Sequence, residues 1–255
     1  MALDEALVYG FFLIFVRCSA MLLSSPMFGA QNTPLSVRIL TTLSISAALT
    51  FVLKPHIGEP PPDLYSFAAA VANEALAGLL IGAFLSMVLH AAQIAGSVLD
   101  LQLGLSMSQT LNPVTGVPVS VAAQYKYFLC LTIFLGLNAH HVMFAAFARS
   151  YEAMPTLGVE MLPMLKTSLV KLLQEMTLLA LQMAAPVAAV SIVVDAALGL
   201  VNKAVPQMQA FMMAMPAKVL LGLLTLSLGL PALTGGVSYG VERATEALFG
   251  LFGGR

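Results

Sequence analysis

Two long stretches of this chain, residues 127–148 and the run from Val219 through Val241, contain no Lys, Arg, Asp or Glu. Each is longer than the ~20 residues a helix needs to cross the ~30 Å hydrocarbon layer of a membrane. A chain that carries them folds as apolar helices in lipid or against other protein, and these two are the plainest spanning candidates. The balance of the sequence agrees, with 59% hydrophobic and 9% charged residues, far from the mix of a soluble domain. Further apolar stretches run over 6–30, 35–53, 64–105, 168–201 and 209–233, with an amphipathic tail near 237–252. The expectation is an all-α, membrane-associated fold of six or seven helical segments.

Several function classes fall away. Eleven basic and twelve acidic side chains nearly cancel, so the positive field that nucleic acid requires is missing and nucleic acid is set aside as a partner. No Gly-x-x-x-x-Gly-Lys-Ser/Thr loop is present to cradle nucleotide phosphates. His140 and His141 are adjacent, about 100° apart on a helix, whereas a metalloprotease places two His one turn apart with a Glu between. They read as a helix-end polar pair, His90 reads as a packing residue, and no metal or cofactor is expected. Cys18 and Cys130 lie in apolar runs without paired spacing and read as buried thiols. The acidic start, Asp4-Glu5, differs from the basic start of a secretory signal, so the first segment is expected to be retained.

The remaining apolar stretches are irregular. Arg17 falls in the middle of 6–30, where a lipid-exposed charge costs roughly 2.5–3.5 kcal/mol, and Pro26 and Pro34 follow. That helix is expected to face protein or a polar cavity. Leu64–Leu99 would reach about 54 Å as one straight helix, nearly twice the membrane core, and Ser168–Val201 poses the same problem. Each of these two over-long helices is expected to bend, re-enter or project, with Pro186 as the bend in the second and Gly78, Gly82 and Gly96 allowing close packing in the first. The absence of Trp, against fourteen Phe and fifteen Met, favours packing on protein over many simple lipid-facing spans. Lys and Arg show no clear loop asymmetry that would orient the chain.

Six charged residues stand within or beside apolar sequence: Arg17, Glu74, Asp100, Asp195, Lys203 and Lys218. Either they pair to hold helices in register or some line an ion or proton pathway. Asp-x-x-x-Gly-Leu occurs at Asp100 and again at Asp195; in a chain this rich in Leu, Ala and Gly chance accounts for the echo, and two related helical hairpins are the alternative. The segment 106–118 is different in kind, being uncharged, turn-rich and directly after a long apolar helix. At membrane depth such backbone survives only inside protein or lining a cavity, so the segment is a pore element if it lies there and a surface turn if it does not.

In order along the chain come Arg17, Pro26, Pro34 and Arg38; Glu74-x-x-x-Gly78-x-x-x-Gly82; Gln93-x-x-Gly96-x-x-x-Asp100-x-x-x-Gly104; Asn112-Pro113-x-x-Gly116; Ala139-His140-His141; and Asp195-x-x-x-Gly199-x-x-x-Lys203-x-x-Pro206-Gln207-Met208, ending in Pro216-x-Lys218. Singly each is weak, but their order and spacing, over essentially the whole chain, resemble the FliR family of type III flagellar export-gate subunits. The family tends to have Arg at Lys203, Asn-Val at Gln209-Ala210 and Gly at Ala139. The resemblance implies an inner-membrane, basal-body protein that assembles with FliP-like and FliQ-like subunits and an FlhB-like subunit around a channel for unfolded flagellar proteins. It further implies a FliP-like part in residues 1–150 and a FliQ-like part in 151–255. A plug is implied at Asn112, Pro113, Val114, Thr115, Gly116, Val117 and Pro118, as are buried inter-helix or inter-subunit contacts through Arg17, Glu74, Asp100, Asp195, Lys203, Pro206, Gln207 and Lys218. Such a subunit is structural and gating, without catalysis. A secondary transporter built on the same charges is the alternative function; an intramembrane enzyme would have to use Glu74 with His90 or the His pair, which lack the required spacing.

Overall fold

The computed structural model describes residues 5–29, 33–53, 60–61, 63–104, 120–153, 162–204 and 210–251. Among them are eight helices and no strand: α1 (Glu5–Ser24), α2 (Leu35–Leu53), α3 (Leu64–Leu103), α4 (Val121–Gly136), α5 (Ala139–Ala153), α6 (Leu162–Ala204), α7 (Ala210–Leu228) and α8 (Leu230–Leu251). The helix boundaries follow local chemistry. Pro34, which has no N–H to lose, offers its carbonyl to Val37 and Arg38 at the start of α2. Asp63 caps α3, its carboxylate accepting the Ser66 N–H at 2.9 Å and the Ser66 hydroxyl at 2.8 Å. Hydroxyls inside apolar helices, such as Thr42, Thr50 and Thr225, donate to the carbonyl four residues back and so need no outside partner.

The over-long helices are real: α3 has 40 residues and α6 has 43, about 60 Å each. Helix α6 runs through Pro186 as one continuous element. The two charge-free stretches prove to be the broken ones. The first is interrupted between α4 and α5, where Asn138 takes a φ of 55°, a region that Asn tolerates better than most residues. The second turns by 58° at Gly229, between α7 and α8. Low charge measures affinity for lipid and says nothing about helix continuity. Among the described residues, single helices long and apolar enough to cross a membrane are Leu7–Ser24, Leu64–Leu103 and Leu165–Ala204, making three, or up to five if each bent pair is one span. The first break also raises the number of helices among the described residues to eight, above the six or seven expected, whereas α7 and α8 correspond to the expected 209–233 segment and the 237–252 tail.

The chain divides into two compact units that interleave along the sequence. The first comprises Met1–Val88, Leu135–Leu173 and Val241–Arg255; the second comprises Leu89–Phe134 and Gln174–Gly240. In the first, α1 packs on α2 and on the N-terminal part of α3. A Cβ on Gly78 would collide with the Arg17 carbonyl, and one on Gly82 with Ser24 and the Met21 carbonyl, so these two glycines, one turn apart, allow α1 and α3 to approach backbone to backbone. Ile14, Cys18, Met21, Ile81, Phe84 and Phe147 fill its core. In the second unit, Gly96 does the same for α4, since a Cβ there would lie 2.6 Å from the Ala122 carbonyl. The Ser191 hydroxyl of α6 donates to the Gln102 carbonyl of α3 at 2.9 Å, joining two helices distant in sequence.

Candidate functional site

The sequence-predicted charges resolve into distinct polar nodes. In the first unit Arg17 of α1 and Glu74 of α3 form a two-point ion pair, Nε to Oε2 at 2.6 Å and Nη2 to Oε1 at 3.0 Å, both side chains buried. Two residues of α5 complete the node. Arg17 Nη1 donates to the Ser150 hydroxyl at 2.8 Å, and the Tyr151 hydroxyl donates to Glu74 Oε2 at 3.1 Å while its ring lies 3.8 Å from the guanidinium carbon. Desolvating two charges is costly, and only a pair with its remaining donors and acceptors filled recovers that cost. This arrangement meets that condition. Gly78, one turn beyond Glu74, admits the Arg17 backbone that the ion pair requires.

Asp100, near the end of α3 in the second unit, is also buried. Its carboxylate accepts the Ser120 hydroxyl and the Ala122 N–H, the latter at 3.1 Å to Oδ1. Ser120 in turn is the N-cap of α4, its hydroxyl oxygen accepting the Ala123 N–H at 3.2 Å and its carbonyl the Gln124 N–H at 3.0 Å. A carboxylate set at a helix N-terminus is favoured by the unpaired amides and by the helix dipole. On the outgoing side, Gly104 ends α3 with a φ of 72°, the left-handed conformation typical of a helix C-terminus. The expected plug residues, Asn112 to Pro118, lie outside the described residues, as do Pro206 and Gln207. Their flanks are described, and Asp100 ties the end of α3 to the start of α4.

Asp195 of α6 and Lys218 of α7 pair at 2.5 Å, but the aspartate side chain is 53% exposed. Lys203 is exposed as well. Within the single chain, then, neither Asp195 nor Lys203 is buried. His140 and His141 lie with ring centres 4.3 Å apart and planes tilted by 59°, and no group of three or more His, Cys, Asp or Glu among the described residues is placed to hold a metal. Glu74 is engaged by Arg17 and Tyr151, and His90 faces Gln93 at the surface of the second unit.

Sequence reasoning missed Lys126. It stands one residue before the charge-free stretch 127–148 and so escapes a search for charges inside apolar runs. In the structure it is buried on α4, its ammonium donating to the Met183 carbonyl of α6 at 2.8 Å. The available signal was the helical register, since Ala122, Ala123, Lys126, Cys130 and Phe134 share the buried face of α4.

The comparisons agree with the family resemblance. Residues 8–244 match the model of a family described as bacterial export proteins, family 1. The flagellar biosynthetic protein FliR of Bacillus subtilis (strain 168) is 34% identical over 218 residues, covering 82% of this chain and 81% of that protein. FliR of Caulobacter vibrioides is 31% identical over 223 residues, covering 88% and 89%, and FliR of Escherichia coli (strain K12) is 24% identical over 210 residues, covering 82% and 79%. With a family model over most of its length and relatives above 30% identity across four-fifths of both chains, the protein belongs to the FliR family of bacterial export proteins.

Proposed function

We propose that this component of a bacterial flagellar export apparatus is the structural and gating subunit of an inner-membrane channel in the flagellar basal body, and that Asn112–Pro118 form the plug. The observation that carries the reading is the Asp100 node, in which one buried carboxylate holds the segment's two flanking helices together. A plug needs fixed flanks if its displacement is to open a pore without dismantling the helices. The composition of the segment suits that role, since Pro113 and Pro118 limit conformations, Gly116 permits a tight turn, and the lack of charge avoids strong binding to passing substrate.

The partners are FliP-like and FliQ-like subunits, with an FlhB-like subunit beside them and unfolded flagellar proteins as cargo. On this reading residues 1–150 supply the FliP-like part and 151–255 the FliQ-like part. Supporting it, α6 and α7 leave large apolar side chains uncovered, including Leu200 at 71% and Leu228 at 75% exposed, more than a chain acting alone would present outside lipid. Opening is a displacement of the plug, with no bond made or broken. Native mass spectrometry of the tagged protein, purified in mild detergent from its own cells, tests the reading. One copy of this chain in a large complex with FliP-like and FliQ-like subunits is expected; an isolated monomer or homodimer active in solute uptake would overturn it.

A further inference from the structure

We propose that a cavity in the second unit, between α4, α6, α7 and the start of α8, binds one anionic lipid, with the acidic headgroup on Lys126 and an acyl chain along the apolar walls. The cavity has a volume of about 250 Å³ and opens to the outside of the unit. Met183, Pro186, Leu226 and Leu233 form its walls, and Gly229 and Gly236 leave room where other residues would place side chains. At Gly236 a Cβ would lie 2.9 Å from the Met183 methyl, so the glycine lets that wall of the cavity pack directly against α8. The break of the α7–α8 pair at Gly229 lies on the same cavity.

Lys126 gives the cavity its charge. It is 2% exposed, and of its three N–H donors the Met183 carbonyl takes one. Among the described residues no carboxylate pairs with it, whereas Arg17, Lys218 and Arg243 each have one within 4 Å. An ammonium buried against apolar walls without a counter-ion is costly, and an anion entering the cavity removes that cost. The size and lining select among anions. The space is too narrow for a helix ~10 Å across, but it admits a single flexible chain. Around a chain whose described residues include three helices long and apolar enough to cross a membrane, or up to five spans if each bent pair is one, the molecule that joins an acidic group to such a chain is a lipid.

The test is native mass spectrometry of the detergent-purified complex titrated with phosphatidylglycerol or with phosphatidylcholine of the same acyl chains. Wild type is expected to hold one phosphatidylglycerol about tenfold more tightly than phosphatidylcholine, a difference of ~1.4 kcal/mol. Lys126→Gln is expected to erase the preference, and Ala232→Phe, which fills the cavity from its rim, to weaken both lipids with the complex intact. Equal binding of the two lipids by wild type, or a preference retained in Lys126→Gln, would overturn the proposal. So would a complex that takes no lipid and sheds a partner subunit on Lys126→Gln, which would identify the anion as a partner's carboxylate. Should Lys126→Gln fail to accumulate, Ala232→Phe decides alone: loss of phosphatidylglycerol supports the site and its retention refutes it.

Discussion

Asp100 Oδ1 lies 3.1 Å from the Ala122 backbone nitrogen, so a side chain at the end of α3 caps the first turn of α4 from across the 105–119 segment. One buried side chain therefore holds two helices that are separate in sequence. Asp100→Ala removes a buried acceptor and leaves the Ala122 amide unpaired, at an expected cost of about 1–3 kcal/mol. Asp100→Asn keeps an acceptor oxygen and is expected to lose less. Thermal unfolding of the purified complex ranks the two.

The Arg17–Glu74 pair is expected to behave as a unit. Arg17→Met leaves Glu74 buried and unpaired, a loss of about 3–5 kcal/mol, whereas Arg17→Met combined with Glu74→Leu removes both charges and recovers most of it. The yield and melting temperature of wild type and the two variants provide the check. A double variant no better than Arg17→Met would show that the charges do more than hold α1, α3 and α5 together.

The repeated Asp-x-x-x-Gly motif separates into two different roles. Gly104 has a φ of 72°, so Gly104→Ala is strained and expected to destabilise by about 1 kcal/mol. Gly199 lies within α6, and a Cβ there would meet nothing within 4 Å among the described residues. Gly199→Ala is expected to leave the isolated chain's melting temperature unchanged or raised; a loss seen only in the assembled complex would locate a subunit contact at that glycine.

How much of this was legible follows from which property each residue exposes in sequence. The Arg17 and Glu74 charges stand out because lipid makes them expensive, and the spacing of Gly78 and Gly82 announces a close helix approach. The break at Asn138 showed only in the helix-end reading of His140 and His141, and the one at Gly229 only as a gap placed a few residues too late, because hydropathy carries no record of backbone direction. Asp100 was visible as a charge, but its role as the cap of a helix about twenty residues later depends on the tertiary approach at Gly96. Lys126 was passed over because its burial is a matter of which face of α4 it occupies.

Asp63 supplies a pH dependence outside the membrane-spanning segments. Hydrogen bonds from the Ser66 N–H and hydroxyl hold its carboxyl below its ordinary value of 3.8. A pKa lowered by folding means that the cap contributes fully above the ordinary value and is lost as pH falls through the lower folded value. Protection of the amides in the first turn of α3, corrected for the intrinsic pH dependence of exchange, is therefore expected to fall on acidification below about pH 4, and Asp63→Asn is expected to remove that pH dependence.

Division of labour between plug and scaffold is also testable. Gly116→Val is expected to change export or leakiness with assembly intact, and Asp195→Ala, which removes the partner of Lys218, to lower the amount of assembled complex. Equal loss of complex in both would contradict the division.

The most direct measurement is small-ion leak through the purified complex in liposomes, comparing wild type with a chain in which Asn112–Pro118 are replaced by a Gly/Ser linker of equal length. Wild-type vesicles are expected to stay closed and those with the replaced chain to leak strongly, with the same subunit composition in both. Equal tightness of the two, with the complex intact, would show that this segment does not plug the channel.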